Sequence, residues 1–532
     1  MYAALLAALI AAPQPAPDTA VVCPLEFREA LGPWLEHRRR QGHRPVLLSS
    51  DGSPAQIRQR IRAVARGGHL RFVVLVGDAD PGLFVNSEFR ARCVPTHHAK
   101  ARVNVLWGSE PHIGTDNYYA DLDDDQVPDL AVGRLTADTS EQLRQMVAKI
   151  LGYERSADFG PWRRRVNVVA GVGGLGPLAD RVIESSTKYL LTEGVPADYS
   201  MSMTYASWRS PYCGDPRLFH ANTLRRLNEG AWFWVYIGHG FHLGLDHVEV
   251  PSGSHHIFST DDVARLDCEH GAPIALFLAC YTGAFDATAD CLAEEMLRCP
   301  GGPVSIVAAS RVTMPYAMSV LATGLMRECF EHRRPTLGEA LLHAKRAMAG
   351  EADDHDRQRT MLDAVAAAVS PAPGRLSAER AEHLLLLNLI GDPLLRLRYP
   401  RRIELQVPSS VAAGEPLCVT GSSPVDGPGI VELVLCRDRL GFRPPARREY
   451  PQSPEGLAEF QEVYRRANDR RLDSAPVTVI DGRFRSVLDV PEDAHGECHL
   501  RLFIEGNGDF ASAAADIAVE RQPPDGLRSA RR

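Results

Sequence analysis

Two residues in this sequence have the types and the setting for nucleophilic chemistry. His239 lies in Gly238-His239-Gly240, directly after the apolar run Trp232–Ile237, and Cys280 directly follows the apolar run Ile274–Ala279. A free thiol titrates near roughly 8.5 and its thiolate is the nucleophile, so a cysteine at neutral pH gains reactivity from a neighbouring imidazole. Gly238 and Gly240 allow a sharp turn and a close substrate approach. The backbone N–H groups of Gly240 and Cys280 are candidates to meet a developing oxyanion.

The two apolar runs must place these side chains. Each has strand length and is rich in aromatic and branched residues, as expected of a parallel strand buried on both faces. Open parallel sheets bind ligands beyond the carboxyl ends of their strands, so His239 and Cys280 are expected at one sheet edge. Cys268, Cys291 and Cys299 are nearby in sequence, but only Cys280 ends a buried strand. Strands at 20–23, 46–49, 72–76, 166–170 and 303–308 alternate with helical patterns at 27–40, 53–66, 178–191, 291–297, 316–329, 336–348 and 378–387. This alternation predicts an α/β class with a parallel sheet. From Arg402 onward, alternating patterns such as Ile403–Val407 and Cys498–Ile504 sit between Gly, Pro and Ser turns and predict an antiparallel sandwich, interrupted by a basic helix over 455–471.

A second group of residues has the chemistry of a hard-cation site. Asp121, Asp123 and Asp125 alternate, and Asp129 follows closely. Alternate carboxylates can converge on Ca²⁺. The loop is not an EF-hand, because Gln126 stands where the turn glycine would be and Val132 where the bidentate glutamate would be. A solvated acidic loop is the competing reading.

The segments YIGHG and FLACYTGAF resemble the gingipain family of cysteine peptidases. Val76-Gly77-Asp78, the Val132–Leu135 segment with the helix ending in Tyr153-Glu154, and Gly391-Asp392-Pro393 extend the likeness over about 20–398. The resemblance implies a caspase-like fold with a parallel-sheet catalytic region of two subdomains, 18–160 and 161–398. An immunoglobulin-like β-sandwich over 402–520 and a tail over 521–532 follow. It also implies a His239–Cys280 dyad acting on protein or peptide substrates, and it supports a structural Ca²⁺. It further implies a preference for a basic residue on the amino side of the scissile bond, with Asp180 and Tyr316 as the pocket residues. One departure stands out. The stretch 168–176, where the family often places an acid that orients the histidine, contains none.

Composition sets the outer limits. The chain has 532 residues, 45% hydrophobic and 24% charged, with a net charge of -8, which disfavours nucleic acid as a partner. No apolar run is long enough for a transmembrane segment. Residues 1–17 resemble a signal-peptide leader without a basic start, pointing to a secreted, periplasmic or cell-surface protein, or to a cytoplasmic one if the leader is not a signal. Eleven cysteines fit either one reactive thiol with up to five disulfides or eleven free thiols. Two other functions compete with a peptidase. One is an inactive caspase-like module used for binding or scaffolding. The other is a metal-dependent hydrolase using His239, His242, His247, His255 and His256, no pair of which has HExxH spacing.

Overall fold

The computed structural model describes residues 16–79, 87–172, 194–268, 270–351, 356–370, 372–506 and 508–521. The leader up to residue 15, the expected helix over 178–191 with Asp180, and the tail from 522 lie outside the described residues.

Ten strands form the central sheet: β1 (Thr19–Val22), β2 (Pro45–Leu48), β3 (Phe72–Val76), β4 (Ala131–Leu135), β5 (Arg165–Ala170), β6 (Ser200–Tyr205), β7 (Phe233–Ile237), β8 (Ile274–Leu278), β9 (Ser305–Ala309) and β10 (Leu387–Ile390). Their spatial order is β2-β1-β3-β4-β10-β9-β8-β7-β5-β6. Nine strands in two blocks pair in parallel, and β10 pairs in parallel with β4 but antiparallel with β9. The sheet therefore consists of two parallel blocks running in opposite directions. Strands β3, β8 and β9 are buried along their whole length, as their continuous apolar sequences require.

Local sequence sets the helix limits. The apolar spacing from Phe27 predicts one helix to Arg40, but the regular helix is Gly32–Arg40, with Pro33 in its first turn and a separate short 3-10 turn at Leu25–Phe27. Proline is at home in a first turn and breaks a helix interior. Capping boxes at Ser53/Gln56 and Thr139/Gln142 start the helices Pro54–Ala65 and Ser140–Arg155. The helices Phe219–Asn228 and Arg357–Val369 and the central-sheet strands β4, β6 and β10 are among the additions to the elements expected from sequence. No described helix is long and apolar enough to cross a membrane.

The chain after Arg401 builds a second core from two β-sheets. Strands at 401–402, 410–412, 427–435, 471–479, 496–506 and 509–520 form one sheet, and strands at 404–406, 416–422 and 483–489 form the other. Leu417, Val419 and Leu488 from the smaller sheet pack with Val431, Leu500 and Leu502 from the larger. The helix Pro454–Asn468 leaves this core and lies along β6, the outermost strand of the central sheet. There the Asn468 side-chain amide donates to Met203 O at 2.9 Å and accepts from Met203 N–H at 2.7 Å, and Tyr464 Oη meets Thr204 Oγ1 at 2.8 Å. An open strand edge invites unwanted pairing, and this helix covers it with side chains.

Candidate active site

Parallel pairing of β7 with β8 aligns Ile237 with Leu278. His239 and Cys280 each lie two residues beyond this pair, past the ends of adjacent strands, where Gly238 N–H still donates to Leu278 O at 3.3 Å. Both side chains are partly exposed, while the strands beneath them are buried. The two loops pack tightly. A Cβ on Gly240 would come within 2.7 Å of Cys280 O, 2.8 Å of Thr282 Cγ2 and 2.9 Å of Ala279 Cβ, so only glycine fits there. The His239 carbonyl accepts from Tyr236 Oη at 2.8 Å and from Asp246 N–H at 3.3 Å.

Cys280 sits before a strained turn. Tyr281 has φ 57°, and Thr282 N–H donates back to Cys280 O at 2.7 Å, closing a turn around one left-handed residue. Such γ-turns are rare, and backbone strain of this kind concentrates at functional sites. Surrounding bonds hold it. Tyr281 N–H donates to Arg311 O at 3.3 Å, Gly283 N–H to Ala309 O at 2.9 Å, and Ala293 N–H to Thr282 O at 3.0 Å. Arg311 is itself fixed on Asp286 through both carboxylate oxygens at 2.7 and 2.5 Å, and His98 Nε2 reaches Asp286 at 2.9 Å. These hydrogen bonds to the Arg311 guanidinium and the His98 ring outweigh burial and hold the Asp286 carboxyl well below its ordinary range.

The next parallel strand supplies the sulfur's partner. Beyond β9, Thr313 donates its backbone N–H to Cys280 Sγ at 3.3 Å, with Thr313 Oγ1 at 3.5 Å. The following N–H, of Met314, donates to His383 Nε2 at 2.9 Å, and His383 Nδ1 donates to Glu379 O at 2.7 Å. Burial lowers the His383 pKa to about 4, keeping the ring neutral and able to accept. Thr313, Arg311, Asp286 and His383 were not foreseen from sequence. They act through backbone groups or through partners remote in the chain, and only the Ala309-Ser310-Arg311 strand end offered a signal.

The other expected site residues fall in separate places. The Tyr316 hydroxyl, three residues past Thr313, donates to Asp363 Oδ1 at 2.6 Å and accepts from Arg380 at 2.9 Å. Asp121, Asp123 and Asp129 present carboxylate oxygens within 4.8 Å of one another, but Asp125 is not among them. Its Oδ1 accepts the Val127 N–H at 2.7 Å, and left-handed φ values at Asp124 and Gln126 (72° and 71°) break the alternation that would have aimed it inward. The Asp121 carboxylate already accepts from three backbone N–H groups and pairs with Arg58 at 3.0 Å. Of the five histidines considered for a metal hydrolase, His256 alone joins a potential ligand group among the described residues. Its partners are His220 and Asp262, not His239. All eleven cysteines are free thiols, and burial pushes Cys268 up to about 12 and Cys291 well above the ordinary thiol range.

Comparison with known proteins identifies the family and the fold. Gingipain R2 of Porphyromonas gingivalis is 22% identical over 408 residues, covering 74% of this chain and 48% of the relative. Lys-gingipain HG66 of the same organism is 22% identical over 289 residues, 52% of this chain and 14% of the relative. The chain thus spans about half or less of the length of these curated relatives. The crystal structure of the Arg-specific cysteine proteinase gingipain R superimposes with a TM-score of 0.52 at 17% identity, covering 96% of this chain and 99% of the other, which establishes the caspase-like α/β fold with a β-rich C-terminal region. Residues 12–398 match the model of peptidase family C25, and the chain belongs to that family.

Proposed function

We propose that the protein is a cysteine endopeptidase with Cys280 as nucleophile and His239 as general base and acid. The observation that carries this reading is the β7–β8 register, from which His239 and Cys280 each follow two residues beyond the last pair at one sheet edge, with an N–H aimed at the sulfur. In the reaction, Cys280 Sγ attacks the scissile carbonyl carbon as its proton passes to His239. The carbonyl oxygen gains negative charge, with the N–H groups of Gly240 and Cys280 as its donors. The C–N bond then breaks, His239 returns the proton to the leaving amine, and water hydrolyses the thioester. Cys280→Ala should abolish peptide hydrolysis with an unchanged melting curve. Wild-type turnover in that variant would refute the assignment.

Finer parts of the reading follow from the relatives. A basic residue before the scissile bond fits the Arg- and Lys-directed names of the relatives, with Asp180 as the acid and Tyr316 as the aromatic wall. Profiling a peptide library against wild type and Asp180→Ala tests this, and cleavage after apolar residues unaffected by the substitution would sink it. For a structural Ca²⁺, Asp121, Asp123 and Asp129 are the ligands to test. Millimolar calcium should raise the melting temperature over chelator, and should do so less in Asp123→Asn. The sandwich is read as immunoglobulin-like, and the leader as an export signal.

A further inference from the structure

A cavity of about 700 Å³ lies between β5, the helix Phe219–Asn228 and the C-terminal part of the chain. Eight arginines line it against four carboxylates, with no lysine, tryptophan or phenylalanine. Several of these arginines are paired, but three form no ion pair among the described residues, although Glu229 and Asp438 act on Arg165 and Arg470 at longer range. Arg165 donates only to the carbonyls of Glu229 and Gly230, at 2.6 and 2.7 Å, and Arg225 donates to Asn222 Oδ1 at 3.1 Å. The Arg470 guanidinium makes no hydrogen bond or ion pair among the described residues. A fourth arginine is under-compensated. Arg501, only 7% exposed, shares Glu432 Oε2 with Arg164, both at 2.9 Å, and its Nε has no partner. Two buried cations on one carboxylate oxygen leave a positive charge without a counter-ion, and burial costs such a charge dearly. Consistent with this, burial lowers the Arg501 pKa to about 10 and also lowers those of Arg165 and Arg470.

We propose that this cavity binds an inorganic di- or polyphosphate, which bridges Arg165 and Arg225 on the catalytic side to Arg470 and Arg501 on the C-terminal side. Guanidinium forks match phosphate oxygens two at a time. A single carboxylate offers one charge, whereas the lining carries an excess of four positive charges over a space far larger than one carboxylate. The lining's one aromatic residue, Tyr464, has its hydroxyl engaged with Thr204 Oγ1 at 2.8 Å, and the arginine excess favours a bare phosphate chain. The proposal is independent of the peptidase reading.

The test is calorimetric titration of the full chain with sodium pyrophosphate, in chloride buffer of matched ionic strength. Orthophosphate and a polyglutamate peptide serve as comparisons, and Arg470→Gln and Arg225→Gln as variants. The expected result is saturable pyrophosphate binding, tighter than orthophosphate and weakened by about tenfold in each variant. Arg225 is exposed on a helix, so its variant decides the matter even if the other fails to fold. Absence of saturable binding, equal affinity in wild type and Arg225→Gln, or tighter binding of polyglutamate than of pyrophosphate would each overturn the proposal.

Discussion

The backbone N–H of Thr313 points at the sulfur of Cys280, 3.3 Å away, from the strand end next to the one that carries the cysteine. Negative charge on that sulfur would meet a fixed donor that needs no rearrangement. Thr313→Pro removes the N–H and should slow iodoacetamide alkylation of Cys280 on the order of tenfold. Thr313→Ser keeps both the N–H and a hydroxyl near the sulfur and should alkylate at close to the wild-type rate. Equal rates in all three proteins would show that the donor is idle.

Gly240, in the His239 loop, packs against the Cys280 loop with no room for a side chain. Gly240→Ala should force the His239 loop away from Cys280. Misplacing reacting groups by about 1 Å can cost on the order of 100-fold in rate, so kcat/KM should fall by about that factor. The strand beneath is unaffected, and the melting temperature should move far less than activity does. A variant with full activity would mean that the loops do not meet in solution.

Asp392 anchors the first block of the sheet to the segment after β10. It is fully buried and accepts from Arg38 Nη2 at 2.6 Å and from the Trp34 indole N–H, while Arg38 also pairs with Glu154 at 2.8 Å. Breaking a buried pair on one side strands the other charge, at about 3–5 kcal/mol. Asp392→Ala should lose roughly that much in urea unfolding, and Asp392→Asn, which keeps an acceptor for the indole, should lose less.

His383 gives the fold an acid-sensitive element. Its folded pKa is about 4, depressed by burial from the ordinary 6.5. Between these values the unfolded chain binds a proton that the folded chain refuses. Its contribution is therefore whole above pH 6.5 and lost as pH falls towards 4, on the order of 3 kcal/mol over that window. Glu379 runs the other way, since burial raises it to about 7 and folding then favours its protonated form as pH falls from 7 to 4.5. His383→Gln retains Glu379 and an acceptor for Met314 N–H, so the difference in slope between variant and wild type isolates the histidine. Parallel stability curves from pH 6.5 to 4 would remove His383 from this role.

The strands that lead to His239 and Cys280 were legible because burial on both faces leaves an uninterrupted apolar run, as in Ile274–Leu278. The strand β10 was not. Leu384 to Leu387 continues the apolar pattern of the preceding helix, and only pairing with β4 and β9, far away in the chain, decides where helix stops and strand begins. The edge strand β6, SMSMTY, has a weak pattern because its outer side is covered by Asn468 and Tyr464 rather than by another strand. At the candidate site, residue types pointed to Cys280 and His239, but the Thr313 contact uses a backbone N–H that every non-proline residue possesses, so no residue type could mark it. The acidic loop shows the opposite failure. Its alternation was readable, but the two left-handed residues that turn Asp125 aside were not.

The placement of β10 has a consequence for biosynthesis. The strand fills the slot between β4 and β9, yet it is made some 250 residues after β4. Until residue 390 has left the ribosome, β4 is an unpaired edge and the two parallel blocks have no seam. Non-local pairing of this kind is slow, and open edges in partly synthesised chains attract one another. A chain stalled before β10 should thus be captured by chaperones as a half-sheet with an adhesive margin, and release from that state comes with the last strand of the central sheet to be translated, which welds the halves together.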